Sequence, residues 1–566
     1  MLRLRRIIPG VMLAAAVVAA YLPALRAGFV WDDDDHVELN TQLRSAEGLR
    51  RIWLDPRSTP QYYPLVHTSF WIEYRLWGLW PAGYHAVNVA LHACAALLVA
   101  RVLLRLGLRS RAAWLAAWLF ALHPVQVESV AWITERKNVL SAVCYLGALW
   151  AYLAYARWSG GNGSRRWQGL AFGLFVLALL SKTVTASLPA VLLLLQAWKA
   201  GRVTWRDLGA LGPFLTIGAA MGGLTAWLER THVGAVSEAS FVERLLVAGR
   251  AFWFYLSKLA WPAELAFIYP RFEIDAGAWL AYAYPACALG AIGALWLQRR
   301  SWGRGPLVAG LYFGGTLVPA LGFFDVYPMR YSYVADHFQY LACLGPLTLV
   351  AAAGVDAVRS RRLAARAAAT AAVVVLVALG LATWRQTHIY HDRETLWRDT
   401  LAKNPGAWIA HSNLGGLLEW SGRPAEALEH FREALRIQQA LRAPIDLAQA
   451  QRNVARALGH LGRHAEAVEH YRKALAIDPR MFDTHYNLGL SLEALGDLAG
   501  AEASYRAALA LEPDLAEAHN NLAIVLFFQG RHAEAWAEVR RLQDLGHSAH
   551  PEFIQALTRA AAPPPR

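Results

Sequence analysis

Cysteine is scarce in this sequence, with only four among 566 residues. All four lie inside apolar segments, where a cysteine behaves as a small buried apolar side chain. Their number and placement argue against a disulfide framework and against a zinc site. They are Cys94, Cys144, Cys287 and Cys343.

Charged residues are also few, at 17% of the chain, whereas hydrophobic residues make up 56%. A soluble protein could not bury so much apolar surface, so the composition predicts a polytopic membrane protein. The formal net charge is +13, but from residue 387 onward there are 19 Lys and Arg against 22 Asp and Glu. The positive excess therefore belongs to short loops of the first 386 residues. We interpret it as a signal of membrane orientation and expect no nucleic-acid partner.

Eleven apolar segments in the first 386 residues favour membrane-spanning helices. If the N-terminus is cytoplasmic, eleven spans put the basic clusters between them in the cytoplasm and the C-terminal part outside. The first segment has a basic flank but no convincing small-residue cleavage site, so we expect a retained helix. A further stretch, 241–261, is predicted to be an amphipathic helix on the outer surface, with a twelfth span as the alternative. The eleven segments are 7–25, 85–105, 112–127, 138–156, 168–181, 184–198, 209–228, 277–298, 306–322, 338–356 and 366–386.

Four consecutive carboxylates follow the first apolar segment and should emerge on the outer face. They are Asp32, Asp33, Asp34 and Asp35. Such a run is either a solvated stop at the membrane surface or part of a site. A divalent metal such as Mg²⁺ or Mn²⁺ is conceivable there, because hard cations bind carboxylate oxygens; no residue is assigned as a metal ligand.

Further ionisable side chains interrupt the apolar pattern in the later outer loops, and charges at membrane depth tend to mark sites. Arg136 and Lys137 in the loop 123–138 have the chemistry to hold a phosphate, with a surface turn of interface-anchoring bases as the alternative. Lys182 is a third phosphate candidate, or it extends to water from the helix end. Arg330 and His337 are candidate phosphate partners, and Asp336 could bind a sugar hydroxyl; packing and helix capping are the alternatives.

After residue 386 the composition changes to Ala-rich amphipathic helices with a repeated pattern. Equivalent positions lie 40, 34 and 34 residues apart, and the period of 34 is typical of tetratricopeptide repeats. We predict four repeats in 407–548, with six extra residues near 440–445, a linker at 387–406 and a cap helix and tail at 549–566. The histidines of the repeats are expected on the surface. Marker positions are Asn413, Asn453, Asn487 and Asn521, then Gly422, Gly462, Gly496 and Gly530.

Three motifs carry a resemblance to a known family. They are FVWDD at 29–33, PAGYHAVNVALH at 81–92 and FALHPVQVESVA at 120–131, followed by the repeats. This ordered set resembles the transmembrane-and-tetratricopeptide-repeat protein O-mannosyltransferases and their bacterial relatives. The resemblance implies an all-α fold: a GT-C-like membrane domain of about eleven spans in 1–386, followed by an α-solenoid. It also implies a bacterial inner membrane with the repeats in the periplasm.

The resemblance implies an inverting glycosyltransferase that moves mannose or another hexose from a polyprenyl-phosphate carrier to a hydroxyl, such as a protein Ser or Thr. The acidic motif of the family matches Asp32 and Asp33, and the motif register slightly favours Asp33 as the base. The His-Pro-x-x-x-Glu loop matches His123 and Glu128, which become candidate substrate contacts together with Asp34 and Asp35. The expected partners are the lipid-linked donor, membrane lipid, and an acceptor protein or peptide held by the repeats.

Two other functions fit parts of the sequence. A membrane-anchored scaffold for envelope proteins would use the repeats but leaves the charged outer loops without a role. A transporter of a lipid-linked sugar would need polar residues or broken helices near mid-membrane, whereas the charges here cluster at the outer ends of the spans.

Overall fold

The computed structural model of the protein describes residues 2–228, 231, 239–324, 327–358, 362–441 and 444–563. Within these ranges the regular structure is helical, and no strand is present. The chain divides into two compact units, Met1–Asn404 and Pro405–Arg566. The predicted all-α fold, an apolar helical part followed by a helical repeat array, is confirmed.

Each of the eleven predicted apolar segments contains an α-helix of the first unit, and additional helices form in the loops between them. Over the described residues these helices are α1 (Leu2–Ala20), α2 (Ala46–Leu54), α3 (Pro64–Trp77), α4 (Pro81–Arg105), α5 (Ser110–Leu122), α6 (Val127–Ala131), α7 (Arg136–Tyr155), α8 (Arg165–Leu179), α9 (Leu188–Ala200), α10 (Trp205–Leu228), α11 (Phe241–Ala260), α12 (Ala283–Leu297), α13 (Gly305–Leu317), α14 (Leu344–Ala357), α15 (Arg362–Thr387) and α16 (Arg393–Lys403).

Six helical stretches are long and apolar enough to cross a membrane, among the residues described, and four shorter apolar helices accompany them. The most apolar window of the stretch containing α7 is 72% buried, whereas the windows containing α12 and α15 are only 6% buried. Apolar helices with so much exposed surface are suited to lipid, and α7 lies at the centre of the helix packing. The count of eleven spans and their orientation stay predictions.

The stretch 241–261 forms α11, which begins with a capping box between Ser240 and Glu243. This confirms the predicted helix; its place on the outer surface stays a prediction. The segment 387–406, expected as a linker, contains α16 and packs within the first unit. There the Lys403 ammonium donates to the Leu265 carbonyl at 2.7 Å, and the Asn404 amide donates to the Ile268 carbonyl at 3.2 Å.

The first outer loop folds onto the second and brings the acidic run towards the start of α7. Its apolar side chains Val37, Leu43 and Phe70 form one cluster with Tyr84 at the start of α4 and with Ile133. Because Ile133 lies three residues before α7, this packing connects the segment after α1 to the charged residues around position 135.

The second unit consists of paired helices, as the repeat pattern predicts. The four marker glycines all follow the first helix of a pair and adopt φ between 74° and 78°, a left-handed conformation that favours glycine. The six extra residues predicted near 440–445 lie partly outside the described residues, which end at Leu441 of α18 and resume at Pro444 of α19. The helices are α17 (Trp408–Trp420), α18 (Pro424–Leu441), α19 (Pro444–His460), α20 (His464–Ile477), α21 (Phe482–Ala494), α22 (Leu498–Leu511), α23 (Ala516–Phe528), α24 (His532–Asp544) and α25 (Pro551–Ala560).

The prediction that the repeat histidines lie on the surface is wrong for two of them. His411 and His519 are buried at equivalent positions of the first and fourth repeats. The Nε2 atom of each donates to a carbonyl six residues earlier, that of Pro405 at 3.1 Å and that of Pro513 at 2.9 Å. These bonds tie the first helix of the repeat to the turn before it, which the sequence spacing alone did not indicate.

Two adjacent glycines in α17 provide a test of the repeat packing. A Cβ on Gly415 would lie 2.6 Å from the Phe431 ring of α18, whereas a Cβ on Gly416 would meet nothing within 4 Å. Gly415→Ala should therefore destabilise the first repeat by about 1–3 kcal/mol through overpacking. Gly416→Ala should instead stabilise it by up to about 1 kcal/mol, because alanine is the better helix former. Hydrogen-exchange mass spectrometry of the full chain over α17 and α18 measures both changes; equal effects would contradict the packing.

Candidate functional site

The residue directly before the acidic run has an unusual backbone conformation. Trp31 has φ of 47°, in the left-handed region that a bulky residue rarely adopts. Its ring packs on Trp397 with ring centroids 4.8 Å apart, on Phe267 at 5.3 Å and on Tyr331 at 5.8 Å. This packing holds the strained turn and so fixes the directions of the two aspartates that follow.

Asp33 is fully buried and joins the first outer loop to the second. Its Oδ1 accepts hydrogen bonds from the Thr134 backbone N–H at 2.9 Å and from the Thr134 hydroxyl, and its Oδ2 accepts from the Val30 N–H at 2.8 Å. Burial, with the charge of Asp32, raises the pKa of Asp33 to about 8. With both oxygens occupied, Asp33 has the geometry of a structural connector.

Asp32 is the more accessible of the two carboxylates. Its side chain is 25% exposed, its Oδ2 lies 3.7 Å from His36 Nε2, and its Oδ1 has no hydrogen-bond partner. Burial raises the pKa of Asp32 to about 6, and the charge of Lys137 opposes this shift. A partly exposed carboxylate with a pKa near neutrality is suited to accept a proton from a substrate. The geometry thus favours Asp32 over Asp33, which the motif register had slightly favoured.

The other two carboxylates of the run point elsewhere, because residues 34–38 form a helical turn that rotates successive side chains apart. Asp34 Oδ2 lies 3.6 Å from an Arg393 guanidinium nitrogen of α16, and Asp35 is exposed. The run therefore does not form a single acidic surface.

The start of α7 brings two of the predicted cations to one carboxylate. Lys137 Nζ lies 2.9 Å from Glu135 Oε1, and Lys182 Nζ lies 3.6 Å from Glu135 Oε2. The lysine side chains are only 10% and 13% exposed. Each ammonium has three N–H donors. The partners described for Lys137 are Glu135, Gln61, whose Oε1 lies at 3.4 Å, and the face of the Trp132 ring, whose centroid lies 5.5 Å from Nζ.

The last outer loop meets the same group of charges. Glu128 holds His337 by two contacts: its Oε2 accepts from the His337 backbone N–H at 2.8 Å, and its Oε1 lies 2.9 Å from Nδ1. Asn138 links the elements further, since its amide donates to Glu135 at 2.5 Å and its carbonyl oxygen accepts from Lys182 at 2.7 Å. We call Glu128, Glu135, Lys137, Lys182 and His337 the charge cluster.

Arg136, a predicted phosphate ligand, instead binds other residues of the protein. It is fully buried and ion-paired to Glu73 of α3, to which both terminal nitrogens donate. The remaining donors go to the Asn88 side chain, to the Ser69 hydroxyl at 3.1 Å and to the Tyr84 carbonyl at 2.9 Å. A guanidinium has five N–H donors, and all five are occupied. The phosphate-binding prediction for Arg136 is corrected on this ground.

Three further predicted residues lie outside the charge cluster or at its edge. His123 uses both ring nitrogens, one near the Leu259 carbonyl at 3.0 Å and one accepting from the Val125 N–H at 3.4 Å, so it connects its own loop to the end of α11. Asp336 accepts from the Tyr269 hydroxyl at 3.0 Å through Oδ2, while its Oδ1 is buried without a partner. Burial and the charge of Glu128 raise the pKa of Asp336 well above its usual value. Arg330 lies exposed on the turn Tyr327–Arg330.

The side chains of the four aspartates point in different directions, which matters for the divalent metal that the sequence suggested at this run. Over the described ranges, no group of three or more His, Cys, Asp or Glu side chains is arranged to hold a metal ion. Asp33 is saturated by N–H and O–H donors, and Asp34 lies near an arginine. These residues do not fit a divalent cation, and we derive no step through one.

Sequence reasoning missed several members of the site. Glu135 and Asn138 stand beside the predicted Arg136 and Lys137, but nothing in the spacing says which of these neighbours turns inward. His36 and His67 also escaped notice, although His36 directly follows the acidic run. A signal was available for Glu135: a lone acid directly before two bases at a helix start is a natural ion-pair partner.

The C-terminal part is similar to known repeat families. A tetratricopeptide repeat model matches residues 407–480, and a second TPR repeat model matches residues 494–530. The solved structures of MamA and of YrrB, a TPR protein with an unusual peptide-binding site, are 18% and 17% identical. They cover 27% and 37% of this chain and 86% and 97% of their own, each with a TM-score of 0.25.

Curated relatives extend the similarity to the apolar part. Protein O-mannosyl-transferase TMTC3 of Mus musculus is 32% identical over 176 residues, which cover 30% of this chain and 19% of that protein. Tmtc1 of Drosophila melanogaster is 38% identical over 154 residues, 25% of this chain and 18% of that protein. TMTC4 of Mus musculus is 26% identical over 469 residues, 71% of this chain and 63% of that protein. The chain thus spans about a fifth of the first two relatives, and it is similar to proteins of the TMTC group as a distant relative with tetratricopeptide repeats.

Proposed function

We propose that the protein is a membrane glycosyltransferase that moves mannose or another hexose from a polyprenyl-phosphate carrier to a hydroxyl acceptor. The observation that carries the proposal is the pair of buried lysines, Lys137 and Lys182, that share the Glu135 carboxylate, with Lys137 also acting electrostatically on Asp32. The similarity to the TMTC protein O-mannosyl-transferases supports the same chemistry and a protein Ser or Thr as the acceptor.

The charge balance of the lysine pair suits a sugar phosphodiester. The three ions Lys137, Lys182 and Glu135 by themselves carry one net positive charge, while Glu128 is paired separately with His337 and ionised Asp32 adds one negative charge nearby. A sugar joined to a polyprenyl phosphate carries one negative charge, so the bound donor neutralises the pair. In a site with little water this attraction is stronger than in solution, and it grows as negative charge develops on the leaving phosphate.

Asp32 serves as the base in this proposal. An acceptor hydroxyl is a weak nucleophile near neutral pH, and a carboxylate within reach can take its proton as the new bond forms. The acceptor oxygen bonds to the anomeric carbon, the bond from that carbon to the phosphate oxygen breaks, and its electron pair leaves with the phosphate. A single displacement of this kind inverts the anomeric carbon. The phosphate is already a good leaving group and requires no general acid.

The rest of the chain supplies the two substrates in this proposal. The apolar helices of the first unit offer lipid-like surroundings for the polyprenyl tail, and the repeats recruit the acceptor protein. The reaction takes place on the extracytoplasmic face of a bacterial inner membrane, with the N-terminus in the cytoplasm. A scaffold would use the repeats as well, but it gives no reason to bury the charge cluster at the cost of desolvation.

The direct test is transfer of sugar by the purified full chain in lipid nanodiscs, with polyprenyl-phosphate mannose or glucose as donor and periplasmic proteins as acceptors. We expect acceptor-dependent release of polyprenyl phosphate and a glycosylated product. Intact donor after prolonged incubation with every sugar and acceptor would contradict the enzyme and favour the scaffold.

The roles of the two aspartates can be separated by substitution. Asp32→Asn should lower turnover by about 10²–10⁴-fold at unchanged stability, because an amide cannot accept the proton. Asp33→Asn should lower the thermal stability, because its amide would set N–H groups against the Val30 or Thr134 donors, at about 1–3 kcal/mol. Glu47→Gln, an exposed carboxylate of α2, is the matched control and should change neither. Normal turnover in Asp32→Asn would refute its role as the base.

The lysines should act on donor binding. Lys137→Met or Lys182→Met removes the net positive charge, so the KM for the donor should rise by about 10-fold or more. Lys199→Met is the control, because Lys199 lines an apolar cavity of about 430 Å³ near the C-terminal end of α4, and the donor KM should not change. Arg136→Met should instead abolish folded protein, because it leaves Glu73 buried without its partner. A properly folded Arg136→Met variant with a raised donor KM would show instead that Arg136 binds the donor phosphate.

The repeats should select the acceptor. Deletion of 407–566 should leave the donor KM unchanged, since the proposed phosphate contacts lie in the first unit. It should raise the KM for a folded acceptor protein strongly, because tethering no longer increases the local acceptor concentration. Short acceptor peptides at high concentration should still be modified. A collapse of donor affinity in the deletion variant, with the apolar unit still folded, would contradict this division of roles.

A further inference from the structure

Two buried histidines form a chain behind Asp32. His36 Nδ1 lies 3.2 Å from His67 Nε2, and His67 Nδ1 lies 3.2 Å from the backbone carbonyl oxygen of Tyr63. The two rings are nearly parallel, with an interplanar angle of 15°, and both side chains are almost completely buried. The remaining nitrogen, His36 Nε2, is directed at Asp32 Oδ2 at 3.7 Å.

The carbonyl at one end of this chain fixes the proton positions along it. A carbonyl oxygen only accepts, so His67 Nδ1 must carry the hydrogen and donate to Tyr63. In a neutral ring the other nitrogen then has a lone pair, so His67 Nε2 accepts from His36 Nδ1–H. His36 Nε2 in turn has no hydrogen and presents a lone pair to Asp32. The tautomer of His36 is thus set by a backbone carbonyl two side chains away.

A lone pair facing a carboxylate favours the protonated form of that carboxylate. Ionised Asp32 repels it, whereas protonated Asp32 can donate its O–H to it. The other charged groups that act on Asp32 and His36 are Lys137, Glu135 and Asp34, and the buried Asp33 is adjacent. Of these groups, only Lys137 favours the ionised form of Asp32. The lone pair of His36 and the neighbouring acids all favour the protonated form of Asp32.

We propose that His36 and His67 are positioning residues that make Asp32 a stronger base and hold the proton it takes from the acceptor. This inference rests on the proposed function, which it deepens. In the step, the acceptor O–H proton moves to Asp32 Oδ2, the oxygen that faces His36, as the glycosidic bond forms, and the new carboxyl O–H is hydrogen-bonded to His36 Nε2. The proton returns to solvent from Asp32 after the product leaves, so neither ring changes its tautomer.

The ring environments agree with this arrangement. Burial lowers the pKa of His67 to about 4, and burial with the neighbouring His67 lowers that of His36 well below its usual value, so both rings are neutral near pH 7. The distance of 3.7 Å exceeds a hydrogen bond, and catalytic hydrogen bonds often shorten only when substrate is bound.

The test substitutes His67, which does not touch Asp32. His67→Leu removes the acceptor for His36 Nδ1–H, so the His36 ring should change to the tautomer with hydrogen on Nε2 and donate to Asp32. This stabilises the carboxylate, and the acid limb of the kcat/KM profile should move from near pH 6 towards the ordinary aspartate value, by about one unit or more. The rate on the alkaline side should fall as well, because a weaker base accepts the proton less readily.

Two further variants separate this role from simple packing. In His67→Gln the side-chain oxygen can still accept from His36 Nδ1–H, so the acid limb should return to the wild-type position. His92→Leu removes another fully buried histidine, one bonded to the Tyr340 hydroxyl and the Ala121 carbonyl. It should reduce stability but leave the acid limb in place. An unshifted acid limb in active His67→Leu, or an equal shift in His92→Leu, would overturn the proposal.

A measurement without turnover keeps the inference testable if His67→Leu does not fold or the enzyme assay fails. Solid-state NMR of the ¹⁵N-histidine-labelled wild-type protein in lipid bilayers reports which ring nitrogens carry hydrogen, with His36→Asn and His67→Gln used for assignment. We expect His36 and His67 both protonated on Nδ1 and bare on Nε2. A hydrogen on His36 Nε2 at neutral pH overturns the chain. The same tautomers in a protein without transferase activity would refute the proposed function alone.

Discussion

The site depends on one buried ion pair, Arg136 with Glu73. A guanidinium removed from water must have all its donors satisfied, or the desolvation penalty of several kcal/mol is not offset. Here the partners come from α3 and from α4, so the start of α7 can take only one rotation relative to them. Arg136 binds α3 and α4, whereas its neighbours Glu135 and Lys137 contact each other, and Glu135 also contacts Lys182. The hydrogen bonds from Thr134 to Asp33 then bring the acidic run to the same place.

The buried charged residues around Glu135 therefore fall into two groups. Arg136 and Asp33 are saturated by neighbouring donors or acceptors, and they hold the backbone. Lys137, Lys182 and Asp32 retain hydrogen-bonding capacity, since each lysine has three donors and one oxygen of Asp32 has no partner. Burial strengthens the interactions of this second group with a ligand because little water competes. The proposed chemistry uses only the second group.

The helices could be predicted from the sequence because hydrophobic periodicity and the glycines that follow helix ends are local signals. All eleven apolar segments contain helices, and the four repeat glycines adopt the left-handed conformation that their spacing indicated. The structure brings Lys137, Lys182 and His337 from separate loops to Glu135, and Asp33 bonds to the adjacent Thr134. The sequence could not decide between adjacent residues of similar chemistry. Asp32 and Asp33 are identical in type, and their roles differ because Thr134, about a hundred positions away, bonds to only one of them. In the same way, Arg136 and Lys137 were both phosphate candidates from the sequence, and only the distant partner of Arg136, Glu73, separates their roles.

The central claim is that a donor phosphate binds between Lys137 and Lys182 with the sugar towards Asp32. The most direct measurement is a cryo-electron microscopy structure of the full chain in nanodiscs with a non-transferable polyprenyl-phosphonate sugar. We expect phosphonate oxygens within about 4 Å of both lysine Nζ atoms, the range of an ion pair, and the anomeric carbon on the side of Asp32. A phosphonate bound at Arg330, or in the apolar cavity beside Lys199, would contradict it.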